Sequence, residues 1–71
     1  MRIMEEDLRR LEREFPEGSR VELVQMDDAQ APPVGTKGTV LGVDCIGNIL
    51  VDWDNGSGLN VAFGQDKCRR I

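Results

Sequence analysis

The sequence predicts a mainly β domain, a small, partly open barrel of five short strands that one amphipathic α-helix precedes. Apolar residues recur with helical spacing only at the start of the chain. Beyond that point they alternate with polar residues in short runs, which turn-forming residues separate. The chain has 71 residues, enough for a single domain but too few for the two packed sheets of a sandwich.

The helix is predicted over residues 2–15. Its apolar side chains lie three or four positions apart on one face: Met4, Leu8, Leu11 and Phe15. Acidic residues fill the first turns and Arg13 lies near the end, as the helix dipole favours, and Pro16 ends the helix. Because so short a helix is marginal in water, these four side chains, which we call the helix stripe, must pack on another surface. We expect that surface to be the chain's own barrel, with a second copy or a partner protein as alternatives.

The barrel is predicted over residues 18–71. Its strands have these ranges: 20–26, 37–43, 48–53, 59–63 and 68–71. The segment from Asp27 to Gly35 contains two adjacent prolines and is predicted to be the longest loop. Short strands with glycine-marked turns, in a chain of this size, are typical of SH3-like barrels.

The segment Asp44–Gly47 predicts the register of the second and third strands. Asp at the first position and Gly at the fourth favour a type I turn in a three-residue hairpin loop, which pairs Val43 with Ile49. The same register gives the further pairs Leu41 with Val51 and Thr39 with Trp53. One face is then apolar, and Val40 and Leu50 form a small patch on the other face that the helix could cover.

The next turn is predicted at Asp54-Asn55-Gly56. This three-residue loop keeps one face apolar, because it sets Leu59 opposite Val51 and Val61 opposite Ile49. A two-residue turn at Asn55-Gly56 would break that face and is the less favoured alternative.

Several segments resemble a family of small bacterial and phage proteins. They are Arg20-Val21-Glu22-Leu23-Val24, Met26-Asp27-Asp28, Gly35-Thr36-Lys37-Gly38-Thr39-Val40, Val43-Asp44, Gly47, Val51-Asp52-Trp53-Asp54-Asn55-Gly56-Ser57 and Arg69-Arg70-Ile71. The family is the domain of unknown function 4314, and the resemblance covers residues 16–71 without the helix. It implies a compact SH3-like barrel, and it supplies no activity and no catalytic residues.

The charge of the chain disfavours nucleic acid as a partner. The net charge is -4, and the nine cations are scattered or alternate with acidic residues. The Gly-x-x-Gly-x-Val segment is also similar to KOW-type barrels, but this chain lacks their basic loops. Charges interrupt the N-terminal stretch, so we expect neither a signal peptide nor a membrane span, and we expect a cytoplasmic location.

The residue types do not predict an enzyme, a cofactor or a metal site. Histidine and tyrosine are absent, so Cys45 and Ser57 have no obvious activating base. We expect both cysteines, Cys45 and Cys68, to be buried, reduced and inert, with a disulfide or a reactive thiol as the alternative. A calcium loop starting at Asp52 fails, because its glycine falls at position five and its twelfth residue is Phe63. Asp27 and Asp28 in the long loop could form an acidic cluster with Asp44, but we favour the interpretation that these carboxylates are solvated.

The sequence therefore predicts a non-catalytic protein-interaction module of a bacterium, phage or mobile element. The candidate binding residues are Trp53, Asp54, Asn55, Asp27, Asp28, Met4, Leu8, Leu11 and Phe15. Trp53 is expected in the core, although its place at a strand end allows a half-exposed indole that anchors a peptide. One alternative is a phage inhibitor of host defence that blocks a protein with its acidic surface or sequesters a nucleotide. The other alternative is a KOW-like nucleic-acid-associated barrel.

Overall fold

The computed structural model describes residues 4–71, which form one helix and a four-stranded antiparallel sheet. The elements are α1 (Glu5–Glu14), β1 (Arg20–Gln25), β2 (Lys37–Val43), β3 (Ile49–Trp53) and β4 (Lys67–Arg70). The strand order is β3-β2-β1-β4, so β3 and β4 are the two edges of the sheet. No helix among the described residues is long and apolar enough to cross a membrane.

Helix α1 packs on its own chain mainly through one buried side chain, Leu11. The predicted residues 2 and 3 of the helix lie outside the described part of the chain. At its end, Phe15 donates its backbone N–H to the Leu11 carbonyl at 2.8 Å. Met4, at the other end of the stripe, is 60% exposed. The expectation that the helix packs on the chain's own β domain is therefore met mainly by the second half of the stripe.

The predicted turn between β2 and β3 is confirmed. Asp44 donates its N–H to the Asn48 carbonyl at 3.0 Å, and Gly47 adopts a left-handed φ of 90°. The two strands leave this loop with Val43 opposite Ile49, as predicted.

A β-bulge at Leu41 changes the register further along this hairpin. The pairs beyond it are Val40 with Val51, Thr39 with Asp52 and Gly38 with Trp53. The predicted pairs Leu41 with Val51 and Thr39 with Trp53 are wrong, because the extra residue in β2 exchanges the two faces of that strand. Leu41 is 56% exposed and Val40 is 1% exposed, so Val40 belongs to the core and not to an outer patch.

The predicted five-stranded barrel is not formed, because residues 59–63 do not pair as a strand. They form a single antiparallel bridge, in which Val61 and Ile49 exchange two hydrogen bonds of 2.9 Å. The predicted opposition of Val61 and Ile49 is thus confirmed. Leu59 is not paired with Val51, since its carbonyl accepts the indole N–H of Trp53 at 2.7 Å.

The core lies between one face of the open sheet, helix α1 and the segment that contains Val61. It consists of Leu11, Val21, Leu23, Val40, Ile49, Val51, Trp53 and Val61. Phe15, Met26, Val43, Phe63 and Cys68 pack around it and remain partly exposed.

Candidate functional site

An apolar groove lies beside helix α1, between strand β4 and the segment that follows Val61. Its volume is about 330 Å³. The apolar side chains that line it are Leu11, Phe15, Val24, Ile49, Val61, Ala62, Phe63 and Cys68. We refer to these residues as the apolar groove. Its walls come from four separate parts of the chain, which the fold brings together.

A short turn over residues 62–66 forms one end of the groove. The Ala62 carbonyl accepts the backbone N–H groups of Gln65 and Asp66 at 3.1 and 3.0 Å, and Gly64 has a left-handed φ of 79°. The Asp66 carboxylate in return accepts the Ala62 N–H at 2.9 Å. This turn leads from the bridge at Val61 directly into β4, so both segments border the groove.

Strand β4 presents an open edge beside the groove. Among the described residues, β4 pairs only with β1. The Arg20 carbonyl accepts the Ile71 N–H at 3.0 Å, and the strand register sets Val21 opposite Arg70. Because antiparallel hydrogen bonding alternates, the N–H and C=O groups of Cys68 and Arg70 point away from β1. These groups are available to another strand.

The open edge is cationic. Arg69 forms an ion pair with Glu22 across the strands at 2.6 Å. The Arg70 guanidinium donates to the Glu14 carbonyl at the end of α1, at 3.3 Å. Lys67 is exposed and takes part in no ion pair within residues 4–71. Three charged residues border the groove: Glu14, Asp66 and Lys67.

The two cysteines have different environments. Cys68 is half-buried beside the groove, and this burial raises the pKa of its thiol to about 11. Cys45 lies in the turn between β2 and β3 and is exposed, so the expectation of two buried cysteines is wrong for Cys45. A turn residue has no neighbouring strand to cover it.

Trp53 lies in the core with 1% of its surface exposed. Its indole N–H is satisfied by the Leu59 carbonyl. The structure therefore supports the core interpretation, and the alternative of a half-exposed indole that anchors a peptide is wrong.

Asp54 and Asn55 take part in contacts that hold the domain together. The Asp54 carboxylate accepts two hydrogen bonds from the Arg20 guanidinium, at 2.9 and 2.5 Å. The hydrogen bond from Arg20 lowers the pKa of Asp54. The Asn55 side chain accepts the Ser57 N–H at 3.0 Å and so shapes its own turn.

Asp27 and Asp28 lie in the exposed loop between β1 and β2. The Asp28 carboxylate accepts the Gln30 N–H at 2.7 Å, a local turn contact. Asp44 uses both carboxylate oxygens on Asn48, at 2.8 Å to its N–H and 3.0 Å to its side chain. Within residues 4–71 no three acidic, histidine or cysteine side chains come close enough to hold a metal ion.

The helix stripe contributes to the groove with only part of its length. Leu11 and Phe15 line the groove, whereas Leu8 is half-buried elsewhere and Met4 is exposed. Sequence reasoning missed the other apolar lining residues as a site: Val24, Ile49, Val61, Ala62, Phe63 and Cys68. One signal was present, because Val24 follows Leu23 directly and breaks the alternation of β1, where the structure has a second bulge.

These features define a small mainly β domain with one open sheet edge and an apolar groove beside it. The chain belongs to DUF4314, a domain of unknown function, and the family match covers residues 4–71. The match includes helix α1, which the resemblance seen in the sequence had left out. No curated protein and no solved structure matches this chain.

Proposed function

We propose that this chain is a non-catalytic protein-interaction module that holds an apolar side chain of a partner protein in the apolar groove. One observation carries the proposal: the groove, lined by side chains such as Phe15 and Phe63, lies directly beside the open edge of β4. Apolar concavities with a few polar groups at their border are the usual form of binding sites.

The chemistry of the described residues supports binding rather than catalysis. The Cys68 thiol at the groove has a pKa of about 11, so it is protonated at neutral pH and is a poor nucleophile. The chain has no histidine that could activate it. The Ser57 hydroxyl faces its own turn, where it accepts the Leu59 N–H at 3.4 Å.

The charges support a protein partner over nucleic acid. The chain carries a net charge of -4. Two of its cations, Arg20 and Arg69, are paired with Asp54 and Glu22. A nucleic-acid-binding surface needs several cations directed at phosphates, and paired cations are poorly suited to that task.

The proposal places a partner at the groove rather than at an exchanged helix. Leu11 is already buried in its own chain, so a dimer formed through α1 would have to expose it first. We further propose an SH3-like ancestry, with the bridge at Val61 as the remnant of a fifth strand, and a bacterial or phage setting as the family resemblance implies. Free Cys45 and Cys68 fit a reducing cytoplasm.

Two matched variants test the proposed function. Val24 and Leu41 are both exposed apolar residues at β-bulges, but only Val24 lines the groove. A tagged chain is used to capture proteins from a lysate of the organism that encodes it. We expect the Val24→Asp variant to lose a captured protein that wild type and the Leu41→Asp variant retain. Circular dichroism melts verify that both variants are folded.

The opposite pattern contradicts the proposed function. If the Leu41→Asp variant loses the captured protein and the Val24→Asp variant keeps it, the binding surface is the outer side of the β2–β3 hairpin. If neither substitution changes the captured set, the groove does not bind a protein.

A further inference from the structure

The open edge of β4 has the geometry that strand addition requires. The backbone groups of Cys68 and Arg70 point outward, and within residues 4–71 no other backbone segment bonds to them. An exposed strand edge of this kind pairs readily with an extended peptide, which gains main-chain hydrogen bonds without any specific side chain.

The side chains of β4 define which residue types an added strand would carry. Cys68 lies opposite Leu23 and lines the groove, whereas Arg69 lies opposite Glu22 on the other face. Side chains alternate along a strand, so Lys67 starts on the face of Arg69, although at the strand end it also borders the groove. Arg70, opposite Val21, lies on the face of Cys68. An added strand would therefore direct every second side chain towards the apolar groove and the others towards Lys67 and Arg69.

The charges of β4 favour an acidic occupant over a second copy of the chain. Three of its four residues are cations: Lys67, Arg69 and Arg70. Antiparallel pairing of β4 with the β4 strand of another copy would set these cations against each other, which destabilises a strand pair. Carboxylates on the added strand would instead meet the charge of Lys67, which has no ion pair within residues 4–71, whereas the charge of Arg69 is partly neutralised by Glu22.

The acidic groups at the groove limit where those carboxylates can lie. Glu14 and Asp66 border the groove, and the Asp66 carboxylate already accepts the Ala62 N–H. Lys67 also borders the groove, but most of the lining is apolar, and a carboxylate buried against it would lose its hydration. The acidic side chains therefore belong on the face of Arg69 and Lys67. Apolar side chains belong on the groove face.

We propose that β4 binds an extended partner segment of alternating acidic and apolar residues, which adds to the sheet as a fifth strand. This inference rests on the proposed function and names the chemistry of the partner. The acidic side chains contact mainly Lys67 and, second, the exposed side of Arg69 that its ion pair with Glu22 leaves open. An apolar side chain fills the groove beside Phe63 and Cys68.

A synthetic peptide of alternating glutamate and valine tests the proposal directly. Fluorescence anisotropy of the labelled peptide is measured against increasing concentrations of the full chain. We expect saturable binding that weakens as salt is added, since exposed charge pairs are screened. A peptide with lysine in place of glutamate should not bind. Equal binding of both peptides, or binding of neither, overturns the proposal.

Two substitutions with the same change in charge localise the interaction. Lys67 and Lys37 are both exposed and both begin a strand, but Lys37 begins β2, an inner strand. We expect the Lys67→Glu variant to bind the glutamate–valine peptide about fivefold more weakly, and the Lys37→Glu variant to bind it within about twofold of wild type. Equal weakening in both variants means that only net charge matters, and it overturns the assignment to β4.

Amide hydrogen exchange, followed by NMR, distinguishes strand addition from other modes of binding. In the free protein we expect fast exchange at Cys68 and Arg70 and slow exchange at Arg69 and Ile71. The peptide should slow exchange at Cys68 and Arg70. If the peptide binds without this protection, the strand-addition proposal is wrong.

The two proposals fail in different ways. If the Val24→Asp variant loses its captured protein but the peptide never binds, the groove binds a protein. The proposal that β4 binds an acidic partner segment is then wrong. If the peptide binds to β4 but no captured protein depends on Val24, the edge accepts a strand and the proposed role of the groove is wrong. A concentration-dependent dimer that the Lys67→Glu variant strengthens would identify a second copy as the occupant and would overturn the acidic partner.

Discussion

The two edges of the sheet differ in how their backbone groups are used. At β3, the bridge from Ile49 to Val61 and the indole bond from Trp53 to Leu59 cover part of the edge with the chain's own backbone. At β4, within the described residues, nothing pairs with the outer groups of Cys68 and Arg70. We call β3 the covered edge and β4 the open edge.

The residue types of the two edges follow this difference. The covered edge contributes Ile49, Val51 and Trp53 to the core. The open edge contributes only the partly buried Cys68 to the core, and its other three residues are cations. Charge on an exposed strand discourages indiscriminate pairing with the edges of other sheets. Stability is therefore expected to depend on the covered edge, and selective binding on the open edge.

The largest contrast between the edges is expected from truncating Trp53. The Trp53→Ala variant should lose about 3–5 kcal/mol of unfolding free energy, because a buried indole is removed and the Leu59 carbonyl loses its donor. The Arg70→Ala substitution, at the open edge, should change the unfolding free energy by less than about 0.5 kcal/mol. Urea denaturation of both variants measures the difference. Equal losses would show that the two edges contribute alike.

A smaller effect is expected at Gly38, which lies opposite Trp53 in the sheet. A Cβ atom at this position would lie 2.6 Å from Cγ1 of Val51 and 2.9 Å from Cε3 of Trp53. The Gly38→Ala variant should therefore be destabilised by about 1–3 kcal/mol through overpacking.

Gly58 is the matched control for Gly38. A Cβ atom at Gly58 would meet nothing within 4 Å, so the Gly58→Ala variant should stay within about 1 kcal/mol of wild type. Urea denaturation again supplies the measurement. A Gly38→Ala variant as stable as the Gly58→Ala variant would show that Trp53 can move away, and that the covered edge is less tightly packed than its contacts indicate.

Acid is expected to weaken the turn that leads into the covered edge. Burial acts to raise the pKa of Asp44, but hydrogen bonds donated by Asn48, Ile46 and Gly47 outweigh it and lower the pKa below its ordinary value. A carboxylate with a lowered folded pKa stabilises the fold at pH values above its unfolded pKa, and this contribution is lost as the pH falls through the folded value.

The Asp44→Asn variant tests this dependence. Thermal unfolding of wild type should lose more stability than that of the variant when the pH is lowered through the acid range below about 3.9, the ordinary aspartate pKa. Parallel pH profiles for the two proteins would show that the turn does not depend on the charge of Asp44.

The smallest expected effect concerns reactivity rather than stability. At about pH 8, iodoacetamide should modify the exposed Cys45 first, because Cys68, with a pKa of about 11, carries almost no thiolate at that pH. In a Cys45→Ser variant, mass spectrometry should show that the rate of Cys68 modification keeps rising as the pH approaches 11. The same rate should increase in urea, which exposes the thiol. Fast modification of Cys68 in the folded protein would show that the open edge exposes its thiol as well as its backbone.

Local turn chemistry made much of the fold predictable. Asp44 and Gly47 specify their loop within a few residues, so the bounds of β2 and the pairing of Val43 with Ile49 followed from the sequence. The opposition of Val61 and Ile49 was predicted because only one register keeps both apolar residues on the same face.

The features that sequence reasoning missed depend on distant contacts. The bulge at Leu41 lets Gly38 lie against Trp53, and no local pattern marks that approach. Residues 59–63 were predicted to be a strand, but the Trp53 indole takes the Leu59 carbonyl that a longer ladder would use. The groove was missed for the same reason, since its walls come from separate segments.

The pairing of β4 with β1 also has a consequence for the order of folding. The ion pair between Arg69 and Glu22 joins residues that are 47 positions apart, whereas the hairpin of β2 and β3 closes across the short turn at Asp44. Closing the longer loop costs more chain entropy, so we expect the hairpin in the folding transition state and β4 to join afterwards. In stopped-flow refolding, φ-values should be high for substitutions at Asp44 and near zero at Cys68. The strand that offers an edge to a partner is then also the last one to find its own neighbour.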